Sequence, residues 1–361
     1  YGSIVFKNSN LIMKKRKIYF VCPSVSVPFG GIKQIYKYVN ILNNHGYNAT
    51  VLLKKKRKRD NIWYRDTKIS YHYELLKNIE NSNNPKEHKN SFYERLKLFY
   101  NNLFSHPIEK DALFVFPEIY GKSFHKTIPN HQYVILNQNC YYTFQGYGFD
   151  YNEKNPYLDK NCLGTIVASE NAQKYFNVVF PALGLYRVRL GIDTHIFSFE
   201  NKKKKKIAFM PRKLAEDSLQ VINILKARKK MDDWEFFPID NMDEQEVAKH
   251  LKESVFFLSF NHREGFGLPP IEAMSCGCFV IGYSGQGGKE YFKEEFSCLV
   301  EEGNIIDFVE KIERHALEYH ENPTLFSEKG KIGSQFVMKN YSLENETQDW
   351  IGTWEKIISQ C

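Results

Sequence analysis

The sequence predicts an α/β protein with two Rossmann-like domains, each a doubly wound parallel sheet. Short apolar runs rich in strand formers alternate with segments whose apolar residues recur at helical spacing. This alternation starts again after a run of five lysines at residues 202–206. The chain of 361 residues is long enough for two domains, each with its own core.

The first half opens with a strand, a glycine turn, a helix and a second strand. KIYFVC (17–22) and ATVLL (49–53) are the strand candidates. The helix between them is predicted by five apolar residues on one face, and Gly46 is placed to end it: Ile32, Ile35, Tyr36, Val39 and Leu42. A further helix is expected near SFYERLKLFYNNLF, and three buried strands are expected in DALFVFP, QYVILNQ and GTIVASE.

The second half repeats the pattern with four strands and three helices. The strand candidates are KIAFMP, EFFPI, SVFFLSF and FVIGY, and the helix candidates are LAEDSLQVINILKAR, DEQEVAKHL and PPIEAMS. We therefore expect a first domain at 1–194 and a second at 195–341, with a C-terminal helix at about 342–361 packing back on the first. Ligands of such sheets bind at the carboxyl ends of the strands, which we expect to face a cleft between the domains.

Composition excludes several classes of protein. An apolar fraction of 42% and an aromatic fraction of 15% are typical of a packed globular chain. No apolar run is long enough to cross a bilayer and the first residues lack the core of a signal peptide, so we expect a cytoplasmic protein. The seven cysteines are scattered without a CxxC pair, which favours reduced thiols that pack as small hydrophobes. We find no convincing metal site.

The net charge of +8 is concentrated in two runs, KKKRKR (54–59) and KKKKK (202–206). Such runs usually lie in solvated loops, and that is the expectation here. The functional alternatives are peripheral contact of basic loops with an anionic membrane surface and binding of nucleic acid. Nucleic acid is the less favoured partner because it would leave the next motif unexplained.

Residues 264–272 read EGFGLPPIE, directly after a predicted buried strand. Gly265 and Gly267 let the backbone approach a ligand closely, and a helix starting near Pro269 would offer amides to phosphate. Glu272, expected in the first helical turn, could accept hydrogen bonds from a ribose, and Glu264 would meet the group beyond the phosphate. The motif predicts a nucleotide-sugar site. The alternative is that both glutamates only occupy a helix start, where acidic residues are favoured anyway.

The stretch EGFGLPPIEAMSCGCFVI resembles the E-x7-E signature of the family-four retaining glycosyltransferases, which have the GT-B fold. Further resemblance lies in Gly30–Gly31 after the first strand, in RLGID (189–193) and in GQGGKE (285–290). The resemblance implies transfer of a hexosyl or deoxyhexosyl group from a nucleotide-diphosphate sugar to a hydroxyl of a glycan or lipid-linked acceptor. It implies retained anomeric configuration, front-face attack without a protein nucleophile, and no cofactor or divalent metal.

The resemblance also implies roles for individual residues. Glu264 would contact the donor sugar, Glu272 the ribose, and Arg212 the diphosphate. The lysine that usually follows the arginine is replaced by Asp217 or Ser218, so Lys213 is the substitute, ranked below Arg212. The other donor-binding candidates are Gly30, Gly31, Gly265, Phe266, Gly267, Leu268 and, for the base, Asp240.

The first domain lacks the histidine that many family members place near the donor sugar. Asn137, Gln138 and Asn139 stand at that strand end. They could bind sugar hydroxyls of donor or acceptor, or they could be buried amides that satisfy loop backbone, and both interpretations stay open. The missing histidine and lysine keep a non-catalytic sugar-nucleotide-binding subunit as an alternative. A glycoside hydrolase, which also uses paired carboxylates, is a less favoured alternative.

Overall fold

A computed structural model describes residues 16–25, 30–56, 66–82, 92–149, 151 and 155–360. Residue contacts divide the chain into two compact units. Unit 1 comprises Tyr1–Ala168, Gln173–Val188 and Thr347–Cys361, and unit 2 comprises Ser169–Ala172 and Arg189–Glu346. The predicted boundary lies at 194, whereas contacts group 189–194 with unit 2. The reason is a parallel bridge in which the Ile192 amide donates to the Tyr341 carbonyl at 2.8 Å.

The first half of the chain forms a seven-stranded parallel sheet in the order β3-β2-β1-β4-β5-β6-β7. Its elements in chain order are β1 (Lys17–Val21), α1 (Gly30–Asn44), β2 (Asn48–Leu53), β3 (Ile69–Tyr71), α2 (Tyr73–Asn81), α3 (Phe92–Asn102), β4 (Leu113–Pro117), β5 (Gln132–Asn137), β6 (Cys162–Val167), α4 (Glu170–Val179) and β7 (Leu185–Arg187). The five apolar residues that predict α1 are all buried. Gly46 ends the turn after α1 with φ +83°, a conformation that glycine adopts without strain.

The second half forms a five-stranded parallel sheet in the order β12-β11-β10-β8-β9. Its elements are β8 (Lys204–Phe209), α5 (Ala215–Arg228), β9 (Glu235–Pro238), α6 (Glu244–Glu253), β10 (Ser254–Asn261), α7 (Leu268–Ser275), β11 (Phe279–Ser284), β12 (Ser297–Leu299), α8 (Ile305–Glu321), α9 (Pro323–Asn340) and α10 (Leu343–Ile358). Each half is a parallel sheet accompanied by helices, which confirms the predicted class of two doubly wound sheets.

The end of α10 packs inside unit 1. The Trp350 ring stacks on the Tyr38 ring with centroids 3.8 Å apart, and its indole N–H donates to the Tyr38 carbonyl at 3.2 Å. Trp350 and Trp354 are both 0% exposed. Large aromatic rings bury much apolar area, so these two residues fix the last turns of the helix against α1 and β1.

The expectation that the run of five lysines lies in a solvated loop is wrong for its second half. Residues from Lys204 onward form β8, and Lys206 is 2% exposed. The Lys206 amino group is neutralised by Glu253 at 3.1 Å, and Lys205 pairs with Asp233 at 2.6 Å. Tertiary pairing therefore overrides the usual behaviour of a charge run. Of the other run, residues 57–59 lie outside the described residues, while Lys55 and Lys56 are exposed.

Within the part of the chain that the structure describes, no helix is both long and apolar enough to cross a bilayer.

Candidate functional site

The EGFG loop, residues 262–267, leads from the end of β10 to the start of α7. Strands β8, β10 and β11 are neighbours in the sheet, so the segments that follow them emerge at the same carboxyl edge. These segments carry Arg212 and Lys213 after β8 and the glycines of GQGGKE (285–290) after β11. The predicted donor residues of unit 2 are thus brought to one edge of one sheet, where parallel sheets bind ligands.

Lys213 and Glu264 form an ion pair at this edge. Leu214 has φ +43° and α5 begins only at Ala215, so Lys213 precedes the helix and its side chain can turn toward the EGFG loop. Burial and the neighbouring Arg212 lower the pKa of Lys213 to about 8. The Glu264 carboxylate opposes that shift because it favours the charged amine. The sequence ranks Lys213 below Arg212, yet Lys213 is the residue that contacts Glu264, while Arg212 is exposed.

Asp217 and Ser218 occupy the position where the resemblance expects a lysine, and both are engaged within unit 2. The Tyr283 hydroxyl donates to Asp217 Oδ2 at 3.0 Å. The Ser218 hydroxyl donates to the Ala215 carbonyl at 2.9 Å. Neither residue supplies a cation, so Arg212 and Lys213 are the positive charges available near Glu264 in the described part of the segment after β8.

The glycines after β11 pack directly against the backbone of the EGFG loop. The Gly287 amide donates to the Glu264 carbonyl at 3.1 Å. A Cβ at Gly287 would lie 2.1 Å from the Gly265 carbonyl oxygen, so no larger residue fits between the two segments. Gly267 has φ +86°, which favours glycine. Close backbone packing therefore explains why both segments are rich in glycine.

The start of α7 differs from the prediction in two ways. The helix begins at Leu268, which makes Glu272 its fifth residue, so the expectation that Glu272 lies in the first turn is wrong. Pro269 and Pro270 are its second and third residues, and neither has an N–H group. The early start follows from Gly267, whose left-handed conformation serves as the N-cap. The helix start therefore offers the amide of Leu268 but not the row of amides expected for phosphate.

The Phe266 side chain is buried, whereas the Asp240 side chain is exposed. The Phe266 ring is 2% exposed and packs on Tyr291, with ring centroids 5.2 Å apart, so donor contact by Phe266 is restricted to its backbone. Asp240 follows β9, is exposed, and accepts a hydrogen bond from the Asn241 side chain at 3.0 Å. Its position suits contact with a base, which stays a prediction.

In unit 1, the three amide residues at the end of β5 all contribute to local structure. Asn137 is 1% exposed and donates to the Tyr157 hydroxyl at 2.8 Å. Asn139 accepts from the Tyr141 amide at 3.1 Å. Gln138 donates to the carbonyl of Gly31, near the start of α1, at 3.2 Å. Gln138 and Asn139 therefore satisfy loop backbone, whereas Asn137 pairs with a side-chain hydroxyl. Contact of the three amides with a sugar, like the donor role of Gly30 and Gly31, stays a prediction.

Glu118, at the carboxyl edge of the unit 1 sheet, is a residue that the sequence alone did not single out. It follows β4, is 6% exposed, and accepts the backbone N–H groups of Gln138 and Asn139, each at 3.0 Å. Burial raises the pKa of Glu118 to about 7, although the two amides oppose the shift. The signal was present in FVFPE, where a carboxylate comes directly after a fully buried strand. Glu118 anchors Gln138 and, through it, the start of α1.

We expect Glu118 to make the protein less stable as pH rises from 5 to 8. Its ordinary pKa of 4.5 applies to the unfolded chain and its pKa is about 7 in the fold, so its favourable contribution is complete below 4.5 and is lost as pH passes 7. A shift of this size corresponds to about 3 kcal/mol. Denaturant unfolding at pH 5 and pH 8 measures the difference between parent and Glu118→Gln, which should depend less on pH. Glu355→Gln, at an exposed position in unit 1, is the control, and equal pH dependence in all three proteins would contradict the expectation.

Within the described residues, no cluster of three or more His, Cys, Asp or Glu side chains is arranged to hold a metal ion.

Residues 215–332 match the family model described as glycosyl transferases group 1. The chain is 29% identical over 188 residues to an alpha-1,6-glucosyltransferase of Actinobacillus pleuropneumoniae serotype 7, in an alignment covering 50% of this chain and 54% of that protein. The chain thus spans about half the length of this curated relative.

Solved structures resemble nearly the whole chain. Sucrose-phosphate synthase from Thermosynechococcus elongatus superposes with a TM-score of 0.66 at 12% identity, over 96% of this chain and 100% of that one. Anabaena HepE in complex with UDP-glucose superposes with a TM-score of 0.62 at 10% identity, over 94% and 99%. At such identities the likeness shows the fold alone. The chain therefore has the GT-B fold, and its second unit carries a domain that matches the family of glycosyl transferases group 1.

Proposed function

We propose that the chain is a retaining glycosyltransferase of family four. It would transfer a hexosyl or deoxyhexosyl group from a nucleotide-diphosphate sugar to a hydroxyl of a glycan or lipid-linked acceptor. The observation that carries the proposal is the ion pair between Lys213 and Glu264 at the carboxyl edge of the unit 2 sheet. The relative that is an alpha-1,6-glucosyltransferase and the neighbour that binds UDP-glucose support the same chemistry.

The ion pair gives the proposed donor site a defined arrangement. The Glu264 side chain is 21% exposed and that of Lys213 is 41% exposed, so both can meet a ligand. An entering diphosphate would compete with the carboxylate for the Lys213 amine and leave Glu264 to accept hydrogen bonds from the sugar hydroxyls. Arg212, exposed beside Lys213, would add a bidentate contact to the phosphate oxygens. Glu272 would bind the ribose and Asp240 would contact the base.

The proposed chemistry depends on stabilising separated charge. Loss of the nucleoside diphosphate leaves positive charge on the sugar and additional negative charge on the departing phosphate. Arg212 and Lys213 would stabilise the phosphate, and Glu264 would stabilise the sugar. The departing phosphate would accept the proton of the attacking hydroxyl on the same face, so configuration is retained without a protein nucleophile. In this scheme two side-chain cations stabilise the diphosphate, and no cofactor or metal is assigned.

We assign the acceptor to unit 1. A lipid-linked acceptor would bring the chain to an anionic membrane surface, where the exposed Lys55 and Lys56 would be attracted to the headgroups. A soluble glycan would require no such contact. Binding of the protein to vesicles with and without anionic lipid distinguishes the two acceptor classes.

A thermal-shift screen of nucleoside diphosphates and their sugar conjugates tests the donor assignment. Binding to the native state raises apparent stability by mass action, so at least one nucleotide sugar should raise the melting temperature. The anomeric configuration of the product formed with that donor is then read by NMR. A glycoside hydrolase would bind no nucleoside diphosphate. Failure of every nucleotide sugar to stabilise the protein would refute the proposal.

A second candidate is a sugar-nucleotide-binding subunit without catalysis. It is favoured by Asp217, which stands where the resemblance expects a lysine and is engaged by the Tyr283 hydroxyl. Such a subunit would bind the donor as the enzyme does but would neither hydrolyse it nor transfer its sugar. Measuring donor consumption over hours, with and without a mixture of glycan acceptors, separates the two functions.

A further inference from the structure

Tyr291 contacts the EGFG loop and is 0% exposed. Its hydroxyl lies 2.6 Å from the Gly267 carbonyl oxygen and 3.0 Å from the Phe266 carbonyl oxygen. These two carbonyls belong to the loop between Glu264 and α7. A single side chain thus holds two consecutive peptide groups at the proposed donor site.

The Tyr291 hydroxyl is a permanent donor. Burial raises the pKa of Tyr291 well above its ordinary value, so the group stays protonated at every pH at which the protein would be studied. Its one proton is shared between the two carbonyls, and the shorter contact is to Gly267. The buried hydroxyl thus satisfies its need for an acceptor on the EGFG loop.

Gly288 and Gly267 pack closely against this hydroxyl. A Cβ at Gly288 would lie 2.8 Å from the Tyr291 hydroxyl oxygen, and a Cβ at Gly267 would lie 3.1 Å from it. The Phe266 ring packs on the Tyr291 ring and on the Tyr341 ring, with centroids 5.2 and 5.4 Å apart. Any larger residue at 288 would therefore displace the hydroxyl from the loop.

The direction of the two carbonyls fixes the direction of two amides. In a trans peptide the C=O of one residue and the N–H of the next point to opposite sides. Because the carbonyls of Phe266 and Gly267 point toward Tyr291, the N–H groups of Gly267 and Leu268 point away from it. Pro269 and Pro270 have no N–H groups, so these two amides are the donors at the beginning of α7.

We propose that Tyr291 is a positioning residue of the donor site, whose hydroxyl aims the Gly267 and Leu268 amides at an anionic oxygen of the donor. The identity of that ligand rests on the proposed function. The orientation of the loop does not, because the contacts that produce it lie within unit 2 itself.

Tyr291→Phe tests the proposal because it keeps the ring and removes only the hydroxyl. Hydrogen exchange of the amides at 265–268 should become at least about fivefold faster in the ligand-free protein. The dissociation constant for the nucleoside diphosphate found in the screen should rise about tenfold, and the kcat of transfer should fall with the KM for acceptor unchanged. Tyr319→Phe, a hydroxyl deletion in α8 where the ring packs on Trp234 and Phe256, is the control.

Gly288→Ala provides a second test that leaves the hydroxyl present but displaces it. Both variants act through the same contact, so the effect of the double variant on the dissociation constant should be clearly less than the product of the single effects. Parent-like exchange at 265–268, or a lower melting temperature with parent-like nucleotide binding, would show that Tyr291 only fills space. Should the parent bind no nucleotide, the proposed function fails, and the exchange rates still decide the role of Tyr291.

Discussion

Glu264→Gln should lower the rate of sugar transfer about a hundredfold or more, while the affinity for the nucleoside diphosphate stays within about threefold of the parent. The substitution keeps the size of the side chain but removes the negative charge that would stabilise the cationic sugar in the transition state. It also releases Lys213 from its ion pair, so phosphate binding loses nothing. Initial rates with the donor identified by thermal shift give the first quantity, and calorimetric titration with the nucleoside diphosphate gives the second.

Glu294→Gln is the matched control for this variant. Glu294 is exposed in unit 2, so the same loss of charge there should leave both quantities at parent values. Parent-like turnover by Glu264→Gln would remove Glu264 from the chemistry. Equal loss of turnover and of nucleotide binding would instead indicate that the carboxylate holds the EGFG loop together.

Glu272→Gln should weaken binding of the nucleoside diphosphate about tenfold or more. A carboxylate on α7 can accept hydrogen bonds from both ribose hydroxyls, whereas an amide side chain can accept through only one oxygen. Glu272 is the fifth residue of α7, so its side chain is carried by a regular helix. Calorimetric titration of parent and variant measures the effect.

Inorganic pyrophosphate serves as the control ligand because it has no ribose. Its affinity should be the same in parent and Glu272→Gln, since Arg212 and Lys213 are unchanged. Equal weakening of pyrophosphate and nucleotide would mean that Glu272 supports the phosphate site. No weakening of either would exclude Glu272 from donor binding.

Much of the fold could be predicted because local sequence and tertiary burial agree. The apolar spacing of α1 predicts the face that is buried, and the continuous apolar run of β10 predicts a strand that is covered on both sides. The turn between β10 and α7 follows from Gly265, Gly267 and the two prolines. Its position at the carboxyl edge follows from parallel topology, so the location of the proposed donor site was predictable before its geometry was known.

The remaining geometry depends on contacts between residues distant in sequence. Lys213 and Glu264 are brought together by the adjacency of β8 and β10, which no local pattern shows. The same holds for Glu118, which accepts amides 20 and 21 residues further along the chain. The hydroxyl of Tyr291 reaches carbonyls 24 and 25 residues before it. Helix α7 begins at Leu268, one residue before Pro269, because Gly267 serves as its N-cap.

The pairing of the lysines in β8 limits which of them can be replaced without loss of stability. A designer who wished to lower its isoelectric point would begin with the run of five lysines, the longest uninterrupted basic stretch apart from KKKRKR. Replacing Lys206 there would remove a side chain that is 3% exposed and one of the two lysines that pair with Glu253, the other being Lys204 at 3.0 Å, so the substitution should destabilise the fold. Lys55 and Lys56, both exposed, are the safer positions for charge reduction.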